Sequence, residues 1–418
     1  MMKSSTYNIL LFLFIFNIPI YSFIGSGYVS AAISLLILII VPGYFKNLTE
    51  LMKDKVVFIT LIIYLMFLLS TISSTTFHNV YDFTIQKTII NGALSFISSI
   101  IFSALFYSYF KNKKIERNFY FVLLIQSVII ILMLVSPEIR DIIQSKIRSD
   151  EDIERMAIYG GVRGLGLSDS VAFGLAATMG LLGYIFVFYL KSIKAWSIYK
   201  IIIFLMCFIA ALSAGRTSFL GFALGISMVI FQSITPKTIF TYIKYSLLTL
   251  LVCIIIYFIL INLPSIGSTI QSYSAYAFQP IINYIEHGSV SVSSTERLQS
   301  MYFLPDNATT IFFGDGKYTN SDGTYYMHTD TGYMRFMLYF GALGSLIPYT
   351  AFLYFLYYSA TRIKEKNNSF FIGIIILSFI YHYKGEIVFF NVNYMKVIFL
   401  FSLSYILINK MERIEARR

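Results

Sequence analysis

A chain of 418 residues in which 57% are hydrophobic and only 13% are charged is too apolar for a soluble globular protein, because such proteins are about one-quarter charged. A mean hydropathy of +0.73 agrees with this exclusion. The net charge of +11 would suit a nucleic-acid-binding protein, but its distribution along the chain indicates membrane topology instead, so we expect no nucleic-acid partner.

Apolar runs of about 17 to 25 residues, broken by short polar clusters, predict an all-α polytopic membrane protein. The first run follows Lys3 as in a signal peptide, but no small-residue cleavage site follows it, so we expect a retained helix. In chain order the twelve predicted spans are 7–24, 28–45, 56–74, 89–110, 118–136, 167–190, 196–213, 217–233, 244–263, 331–358, 369–385 and 392–409.

The distribution of Lys and Arg predicts the orientation, because basic residues resist translocation across the membrane. The N-terminus, the C-terminal tail and every second connection carry 20 of the 32 basic residues but only 6 of the 21 acidic ones, a net charge of +14. The remaining connections carry a net charge of −3. Both termini are therefore predicted on the cytoplasmic face.

Four outward connections are long enough to hold chemistry, namely 75–88, 137–166, 264–330 and 382–391. The longest lies between the ninth and tenth spans of what we predict to be one membrane domain, residues 1–418. Its Gly-rich and Tyr-rich sequence predicts short interfacial helices, or alternatively a mobile flap. The tyrosines expected at headgroup depth are Tyr273, Tyr276 and Tyr284.

The stretch "LSAGRTSFLGFALG" places an arginine between two apolar runs. Arg216 is predicted at the outward end of a tight helical hairpin, against the bias of basic residues towards the cytoplasm, so an anionic partner would suit it. The alternative is a hairpin cap that reaches the interface at little cost. Gly221 and Gly225, one helical turn apart, predict close helix packing.

A second candidate site is "GGVRGLGLSDSVAFG", at the outward start of the sixth span. Arg163 and Asp169 stand there among glycines, which let the backbone approach a ligand closely. The alternative is an Arg163–Asp169 ion pair that fixes the helix entrance. The acidic run Asp150–Asp152 has the carboxylates for a divalent metal, but its basic neighbours favour an amphipathic loop helix, so we expect no metal site.

Further charges follow in the long outward loop and just after it. Arg297 in "SSTERLQSMYFLP" is followed by "FGDG", although a solvated surface helix would explain it equally well. In "MHTDTGYMRF", His328 is a candidate general base because histidine titrates near neutral pH. Asp330 and Arg335 follow it as candidate substrate-binding residues.

The eleventh span ends on the same outward face with three ionisable groups in "YHYKGEIVFFN". Glu386 is a candidate substrate-binding residue, and the alternative is that His382, Lys384 and Glu386 merely pair with one another. All five sites are predicted on one side of the membrane. That convergence favours a single outward pocket in which several arginines surround an anionic lipid headgroup.

Several of these motifs resemble the bacterial O-antigen polymerases, which are related to the O-antigen ligases. Ten residues separate Arg163 from Gly174, similar to the family's Arg-x10-Gly pattern, and "SAGRTSFLGF" resembles its short Ser/Arg hairpin. "TERLQSMYFLPDNATTIFFGDG" and "HTDTGYMRFMLYFGALG" resemble its loop arginine and its histidine with downstream glycines. A second Arg-x10-Gly is absent, because Ala308 stands eleven residues after Arg297.

The resemblance implies a glycosyltransferase of the bacterial inner membrane with a fold related to the GT-C class. It implies a donor glycan on undecaprenyl pyrophosphate, a second lipid-linked repeat unit as acceptor, a chain-length regulator as a possible protein partner, and no cofactor or metal. The catalytic residues would be Arg216, Arg297 and His328. The substrate-binding residues would be Arg163, Asp169, Asp330, Arg335 and Glu386.

Three other functions stay open on the sequence. An O-antigen ligase would use the same donor and transfer the glycan to the lipid A core. A lipid-linked oligosaccharide flippase or other transporter would line a central path with its charged residues, but we find no internal repeat of the kind that transporters commonly show. A non-catalytic partner in a polysaccharide assembly complex is the third.

Overall fold

A computed structural model describes residues 4–21, 24–111, 114–192, 198–232, 236–264, 266–363 and 368–416. The described chain is helical apart from one short antiparallel hairpin, Pro19–Tyr21 with Ile24–Gly25. Its helices belong to two compact units, Met1–Tyr28 with Glu116–Val292 and Val29–Ile115 with Ser293–Arg418. The prediction of one membrane domain stays a prediction.

The first unit contains the chain start and the middle of the sequence. Its elements are α1 (Ser4–Phe16), the strands β1 (Pro19–Tyr21) and β2 (Ile24–Gly25), α6 (Glu116–Val135), α7 (Pro137–Ile147), α8 (Asp150–Ala157), α9 (Phe173–Ser192), α10 (Ile198–Ala214), the 3-10 helix η1 (Arg216–Ser218), α11 (Phe219–Phe231), α12 (Pro236–Ile261) and α13 (Gly267–His287). Helix α9 is central, because it packs against α6, α10, α11 and η1.

Three helix boundaries in this unit differ clearly from the predicted spans, and one of them is the start of α12 at Pro236 rather than at 244. The predicted 7–24 helix ends at Phe16, because Asn17 takes a left-handed conformation with φ of 48° and Pro19 cannot continue the helix. At 13 residues α1 is only about 20 Å long, shorter than the membrane core. The predicted 167–190 helix begins instead at Phe173, after a left-handed Ala172.

Helices α9 and α11 approach each other through glycine, which confirms the packing predicted at Gly221 and Gly225. A Cβ atom on Gly221 would lie 1.9 Å from the carbonyl oxygen of Gly180, and one on Gly225 would lie 3.1 Å from Val187. The first distance is impossible without moving a helix backbone. Small residues are therefore required for this contact.

We expect Gly221→Ala to lower the free energy of unfolding by about 1–3 kcal/mol, because overpacking forces the two helices apart. The measurement is the unfolding midpoint of the purified protein in detergent. Gly43→Ala is the matched control, since a Cβ there would meet nothing within 4 Å. Equal midpoints for the two variants would show that the α9–α11 contact adapts without cost.

The second unit contains the remaining helices. They are α2 (Ser26–Ile40), whose first residues belong to the first unit, α3 (Pro42–Met52), α4 (Lys55–Phe77), α5 (Thr84–Phe110), α14 (Ser293–Ser300), α15 (Ala308–Phe313), the 3-10 helix η2 (Tyr326–His328), α16 (Gly332–Arg362), α17 (Asn368–Lys384) and α18 (Val392–Glu415). Helix α18 is almost wholly buried and packs against α5, α16 and α3.

The predicted 28–45 span is bent rather than straight. Helices α2 and α3 meet at 111° because Val41 is extended and Pro42 opens the second helix. The loop 264–330 contains α13, α14, α15 and η2, so the prediction of helices there is confirmed. Helix α13 has 21 residues and is longer than predicted; a movement of this loop as a flap stays a prediction.

Within the described ranges, six helices are long and apolar enough to cross a membrane, and the bent α2–α3 pair makes a seventh if it counts as one span. The six are α4, α5, α6, α9, α16 and α18. Shorter apolar helices lie at Ser4–Phe16, Tyr199–Ala214 and Arg216–Phe231, where further spans were predicted. The chain is therefore a helical, multi-pass membrane protein.

Two glycine contacts position the N-terminal part of α16. Gly341 interrupts the helix with φ of 70°, which frees the carbonyls of Leu338 and Tyr339 to accept the amides of Asp315 and Gly316. At the start of the helix, a Cβ on Gly332 would lie 2.5 Å from the carbonyl oxygen of His382. The absence of a side chain at Gly332 thus lets the first turn of α16 press against the end of α17.

Candidate functional site

The close approach of α16 and α17 in the second unit brings together two of the predicted substrate-binding residues. Arg335 lies one turn into α16, and Glu386 follows the end of α17 by two residues. The Arg335 Nη1 atom lies 3.1 Å from a carboxylate oxygen of Glu386, and their side chains are only 6% and 10% exposed. Glu386 therefore forms an ion pair with a residue of α16, beyond the neighbours His382 and Lys384 that the alternative considered.

Two tyrosine rings enclose the guanidinium of Arg335. Its Cζ atom lies 3.7 Å from the ring centre of Tyr318 and 3.8 Å from that of Tyr325. Two rings at these distances cannot share one face of the guanidinium, so they cover opposite faces. The hydroxyl of Tyr318 also donates a hydrogen bond to the carboxylate oxygen of Glu386 that Arg335 contacts. The four residues form one unit, which we call the Arg335 cluster.

One edge of this guanidinium has no partner in the described part of the protein. The Nε and Nη2 atoms of Arg335 are buried and make no hydrogen bond there, and the same holds for Glu386 Oε1. The Nε and Nη2 hydrogens point in parallel, the geometry that binds two oxygens of one carboxylate or phosphate. Leaving a buried charged donor unpaired costs at least about 1–3 kcal/mol, so this edge is suited to a ligand.

Burial shifts the acidity of the groups around Arg335. Desolvation raises the pKa of the Glu386 carboxyl, although Arg335 and the Tyr318 hydroxyl oppose that rise. Burial and the neighbouring carboxylate raise the pKa of Tyr318 far above its usual value, so Tyr318 stays a hydrogen-bond donor. Perturbed acids with a defined charge partner are frequent at functional sites.

Three more charged residues lie near the Arg335 cluster. Asp330 is partly exposed, but desolvation of its carboxyl raises its pKa. The charges of Arg297, Arg335 and Lys384 oppose that rise. Arg297 is exposed on α14, as the surface-helix alternative expected. The structure therefore brings Arg297 and Asp330 within electrostatic reach of each other, beside Arg335.

The two histidines of this region have different surroundings. His328 is exposed at the end of η2, with φ of 53°. His382 is fully buried, its Nδ1 atom accepts the amide of Ile387 at 3.1 Å, and its Nε2 atom lies 3.1 Å from the hydroxyl of Tyr349. Because Nδ1 is an acceptor, His382 is a neutral packing residue, and His328 stays the candidate base.

A carboxylate that the sequence analysis did not single out holds the loop that carries Tyr318. Asp82 Oδ2 accepts hydrogen bonds from the amides of Tyr318 and Thr319 at 2.9 and 2.6 Å and from the Thr319 hydroxyl at 2.8 Å. Its Oδ1 atom accepts the amide of Thr84 at the start of α5. The sequence signal for this role of Asp82 was its position just before a helix, where aspartate commonly accepts a backbone amide.

We expect Asp82→Asn to destabilise the protein by about 1–3 kcal/mol at neutral pH, because an amide cannot accept from all these donors. Burial alone would raise the pKa of Asp82, but the hydrogen bonds of Thr84 and Thr319 lower it below its usual 3.8. The stabilisation is therefore present above pH 3.8 and is lost as the pH falls through the lower pKa of the folded state. Unfolding midpoints across this pH range should converge for the two proteins.

In the first unit the structure brings Arg163 and Arg216 onto neighbouring tyrosines. Arg216 Cζ lies 4.8 Å from the ring centre of Tyr276, and Arg163 Cζ lies 4.5 Å from that of Tyr159. The two rings meet edge to face, with centres 5.6 Å apart. Arg216 also donates from Nη1 to Gln279 Oε1 at 3.1 Å. We call this group the Tyr159–Tyr276 cluster.

Helix α13 therefore belongs to this site. Tyr276 is only 6% exposed, and its hydroxyl accepts the amide of Arg216 at 3.3 Å. Tyr273 donates to the carbonyl of Ile209 at 2.8 Å, whereas Tyr284 is 61% exposed. Tyr273 and Tyr276 thus bind α10 and Arg216, and the headgroup depth of the three tyrosines stays a prediction.

The contacts of Asp169 differ from the Arg163–Asp169 ion pair that was the alternative to a binding site. Its Oδ2 atom accepts from Asn17 Nδ2 at 2.5 Å, and its amide donates to the carbonyl of Phe16. A buried arginine, Arg148, donates to the carbonyl of Ser168 beside it at 2.5 Å. Asp169 thus ties the sixth-span entrance to the end of α1, while Arg163 packs on Tyr159.

The remaining acidic candidate is the run Asp150–Asp152. It opens α8, where Ser149 caps the helix and Arg155 pairs with Glu151 at 2.5 Å. The prediction of an amphipathic loop helix is confirmed. Among the described residues no group of three or more His, Cys, Asp or Glu is arranged to hold a metal ion.

The predicted site residues thus fall into two sets. Arg163 and Arg216 belong to the Tyr159–Tyr276 cluster of the first unit, and Arg297, Asp330, Arg335 and Glu386 belong to the second unit. That both sets share one outward pocket stays a prediction. Four residues of the clusters were not predicted from the sequence, namely Tyr159, Tyr318, Tyr325 and Gln279. The tyrosine-rich stretch "GKYTNSDGTYYMH" was a partial signal for Tyr318 and Tyr325.

No protein-family model, no curated protein and no solved structure matches this chain. The fold and the two clusters therefore define the class on their own. They define a multi-pass helical membrane protein whose arginines are held on tyrosine rings.

Proposed function

We propose that this protein is a glycosyltransferase that polymerises oligosaccharide repeat units linked to undecaprenyl pyrophosphate, on the periplasmic face of the bacterial inner membrane. The observation that carries the proposal is the unpaired Nε and Nη2 edge of Arg335, buried between Tyr318 and Tyr325. A phosphate group supplies the two acceptor oxygens that this edge lacks. The motif resemblance described above supplies the substrate class.

Access to this edge requires a movement, because Arg335 is buried. Tyr325 is the outer of its two aromatic covers, since 46% of it is exposed whereas Tyr318 is 6% exposed. Tyr325 lies in the segment between Asp322 and His328, which contains the left-handed residues Met327 and His328. We infer that a displacement of Tyr325 opens Arg335 to the pyrophosphate.

The reaction needs no cofactor or metal, because pyrophosphate is an activated leaving group. The acceptor hydroxyl oxygen attacks the anomeric carbon, and the bond from that carbon to the pyrophosphate oxygen breaks with inversion. The electron pair leaves with the lipid pyrophosphate, and the acceptor proton passes to a base. Arginines that bind the developing negative charge lower the barrier.

Each predicted residue has a role in this scheme. Arg335, with Arg297 nearby, holds phosphate oxygens in the second unit, and Arg216 stabilises the leaving group as its charge develops. His328 is the proposed base because it is exposed, so that an acceptor hydroxyl can reach its imidazole. Asp330 is a second candidate base. Arg163 and Asp169 keep a proposed role in substrate binding, with Arg163 near Arg216 in the Tyr159–Tyr276 cluster.

The proposed architecture adds the details that the sequence predicts to a helical, multi-pass membrane protein. It has about twelve spans, a fold related to the GT-C class, both termini in the cytoplasm and the loop 264–330 in the periplasm. Described helices at or near every predicted span support this arrangement. A chain-length regulator is the proposed protein partner.

The direct test gives the purified protein only polyprenyl-pyrophosphate-linked repeat units and measures glycan length by gel electrophoresis. A polymerase lengthens the glycans without another acceptor. A ligase lengthens nothing until lipid A core is added, and a flippase moves the substrate without changing its length. Either of the last two results would replace the proposed function.

The base is tested separately. We expect His328→Ala to slow elongation about 100-fold or more, the contribution typical of general base catalysis, and to leave single repeat units on the cell surface. His287→Ala is the matched control, because His287 is also an exposed histidine, paired with Glu286 at the end of α13. A normal glycan ladder from His328→Ala, with loss of the ladder in Asp330→Asn, would transfer the role to Asp330.

A further inference from the structure

A second charged site lies in the second unit, away from the Arg335 cluster, at the ends of three candidate spans. It is a cavity of about 280 Å³ where α4 begins and where α16 and α18 end. Its polar lining residues are Asp54, Arg362, Asn409, Lys410 and Arg413. The Lys and Arg count assigns all three contributing segments to the cytoplasmic face, and here they meet.

The charges of this cavity are unbalanced. Asp54 supplies its one carboxylate, which already accepts the amide of Val56 at 3.0 Å and the hydroxyl of Tyr358 at 3.3 Å. Lys410 lies 3.5 Å from a carboxylate oxygen of Glu50. In the part of the chain that the structure describes, Arg362 and Arg413 make no ion pair. The cavity therefore has an excess of positive charge.

Arg362 is held in place for binding. Its guanidinium carbon lies 5.1 Å from the ring centre of Tyr358, and its carbonyl accepts from Asn409 Nδ2 at 2.7 Å. The half-buried Arg362 and the exposed Arg413 approach the cavity from different helices. Two guanidiniums that converge from separate helices match a tetrahedral phosphate group, which presents oxygens in several directions.

We propose that this cavity binds the phosphate of an anionic phospholipid from the cytoplasmic leaflet. Its position at the ends of α4, α16 and α18, each a candidate span, places it at headgroup depth. Ile406 and Ile414 complete its lining with the apolar surface that the start of an acyl chain would contact. Basic pockets between membrane helices on the cytoplasmic side bind acidic headgroups in the same way. This proposal does not depend on the glycosyltransferase function.

The test compares lipid retention by the purified full-length protein after reconstitution in mixed phosphatidylcholine and phosphatidylglycerol nanodiscs, measured by native mass spectrometry. We expect the wild-type protein to retain phosphatidylglycerol preferentially. The Arg362→Gln/Arg413→Gln variant should weaken that preference about 10-fold or more, since each basic residue near the surface contributes about 1 kcal/mol. Arg413→Gln alone, an exposed and fold-neutral change, should weaken it by a smaller factor.

The matched control is Lys46→Gln/Arg117→Gln, which removes two exposed basic residues from the same predicted face but outside the cavity. It should retain phosphatidylglycerol as the wild type does. Equal retention by the cavity variants and this control would overturn the site. Thermal unfolding distinguishes a lipid phosphate from free inorganic phosphate as the ligand. If inorganic phosphate raises the unfolding temperature and phosphatidylglycerol does not, the ligand is not a lipid.

Discussion

Arg335→Lys is expected to slow glycan elongation about 100-fold, while the protein remains folded and in the membrane. Lysine keeps the positive charge beside Glu386, so the buried carboxylate is not left without a cation. It lacks the planar fork, however, and cannot present two parallel donors to a phosphate. Loss of one such donor to a developing oxyanion costs about 100- to 1,000-fold in rate. The measurement is elongation rate per folded protein with purified lipid-linked repeat units.

Two comparisons separate this functional effect from a structural one. Arg155→Lys changes an exposed arginine that is also ion-paired, so its elongation rate should equal that of the wild type. Arg335→Gln leaves Glu386 buried without a cation and should lower the free energy of unfolding by about 3–5 kcal/mol. If Arg335→Lys elongates glycans at the wild-type rate, the Nε and Nη2 edge does not bind the substrate.

Three arginines of the two clusters have the same arrangement, although they lie on different helices and loops. Arg163, Arg216 and Arg335 each place the guanidinium carbon within 5 Å of a tyrosine ring centre. Stacking on an aromatic face restrains a long side chain and removes water from it, while the N–H edges stay available. A guanidinium restrained in this way loses less conformational entropy when it binds an anion than a freely moving side chain does.

The helices were largely predictable because their cause is local. Long apolar runs such as α4 and α18 can satisfy their backbone groups in a membrane only as helices. The predicted spans are wrong where a single residue ends or bends a helix within a continuous apolar run. Asn17 and Pro19 end α1, and Pro42 bends the second span, although Gly, Asn and Pro are the residues that commonly do this.

The candidate sites were only partly predictable because their partners come from distant parts of the chain. An unusual arginine such as Arg335 is visible in an apolar run, but its Glu386 partner lies 51 residues later and its tyrosine covers precede it in a loop. Nothing local distinguishes Tyr318 from the other tyrosines of a chain that has 33 of them. The glycines could be predicted better, since a GxxxG spacing such as Gly221 to Gly225 has one dominant structural use.

Arg216→Lys is expected to have the second large effect, about a 100-fold loss of elongation with a glycan ladder reduced to single repeat units on the cell surface. The arginine stacks on Tyr276 and donates to Gln279, so its guanidinium is held in one orientation. A lysine at this position keeps charge at the hairpin end but loses that orientation and the fork.

The role of Arg216 can be separated from hairpin capping through Gln279, which contacts the guanidinium but is not itself proposed to contact the substrate. Gln279→Ala removes the positioning hydrogen bond alone, so it should reduce elongation by a smaller factor than Arg216→Lys and leave the unfolding midpoint nearly unchanged. A hairpin cap would show the opposite pattern, because capping contributes to stability and not to turnover. An Arg216→Lys protein that melts earlier but elongates glycans at the wild-type rate would leave Arg216 a structural residue.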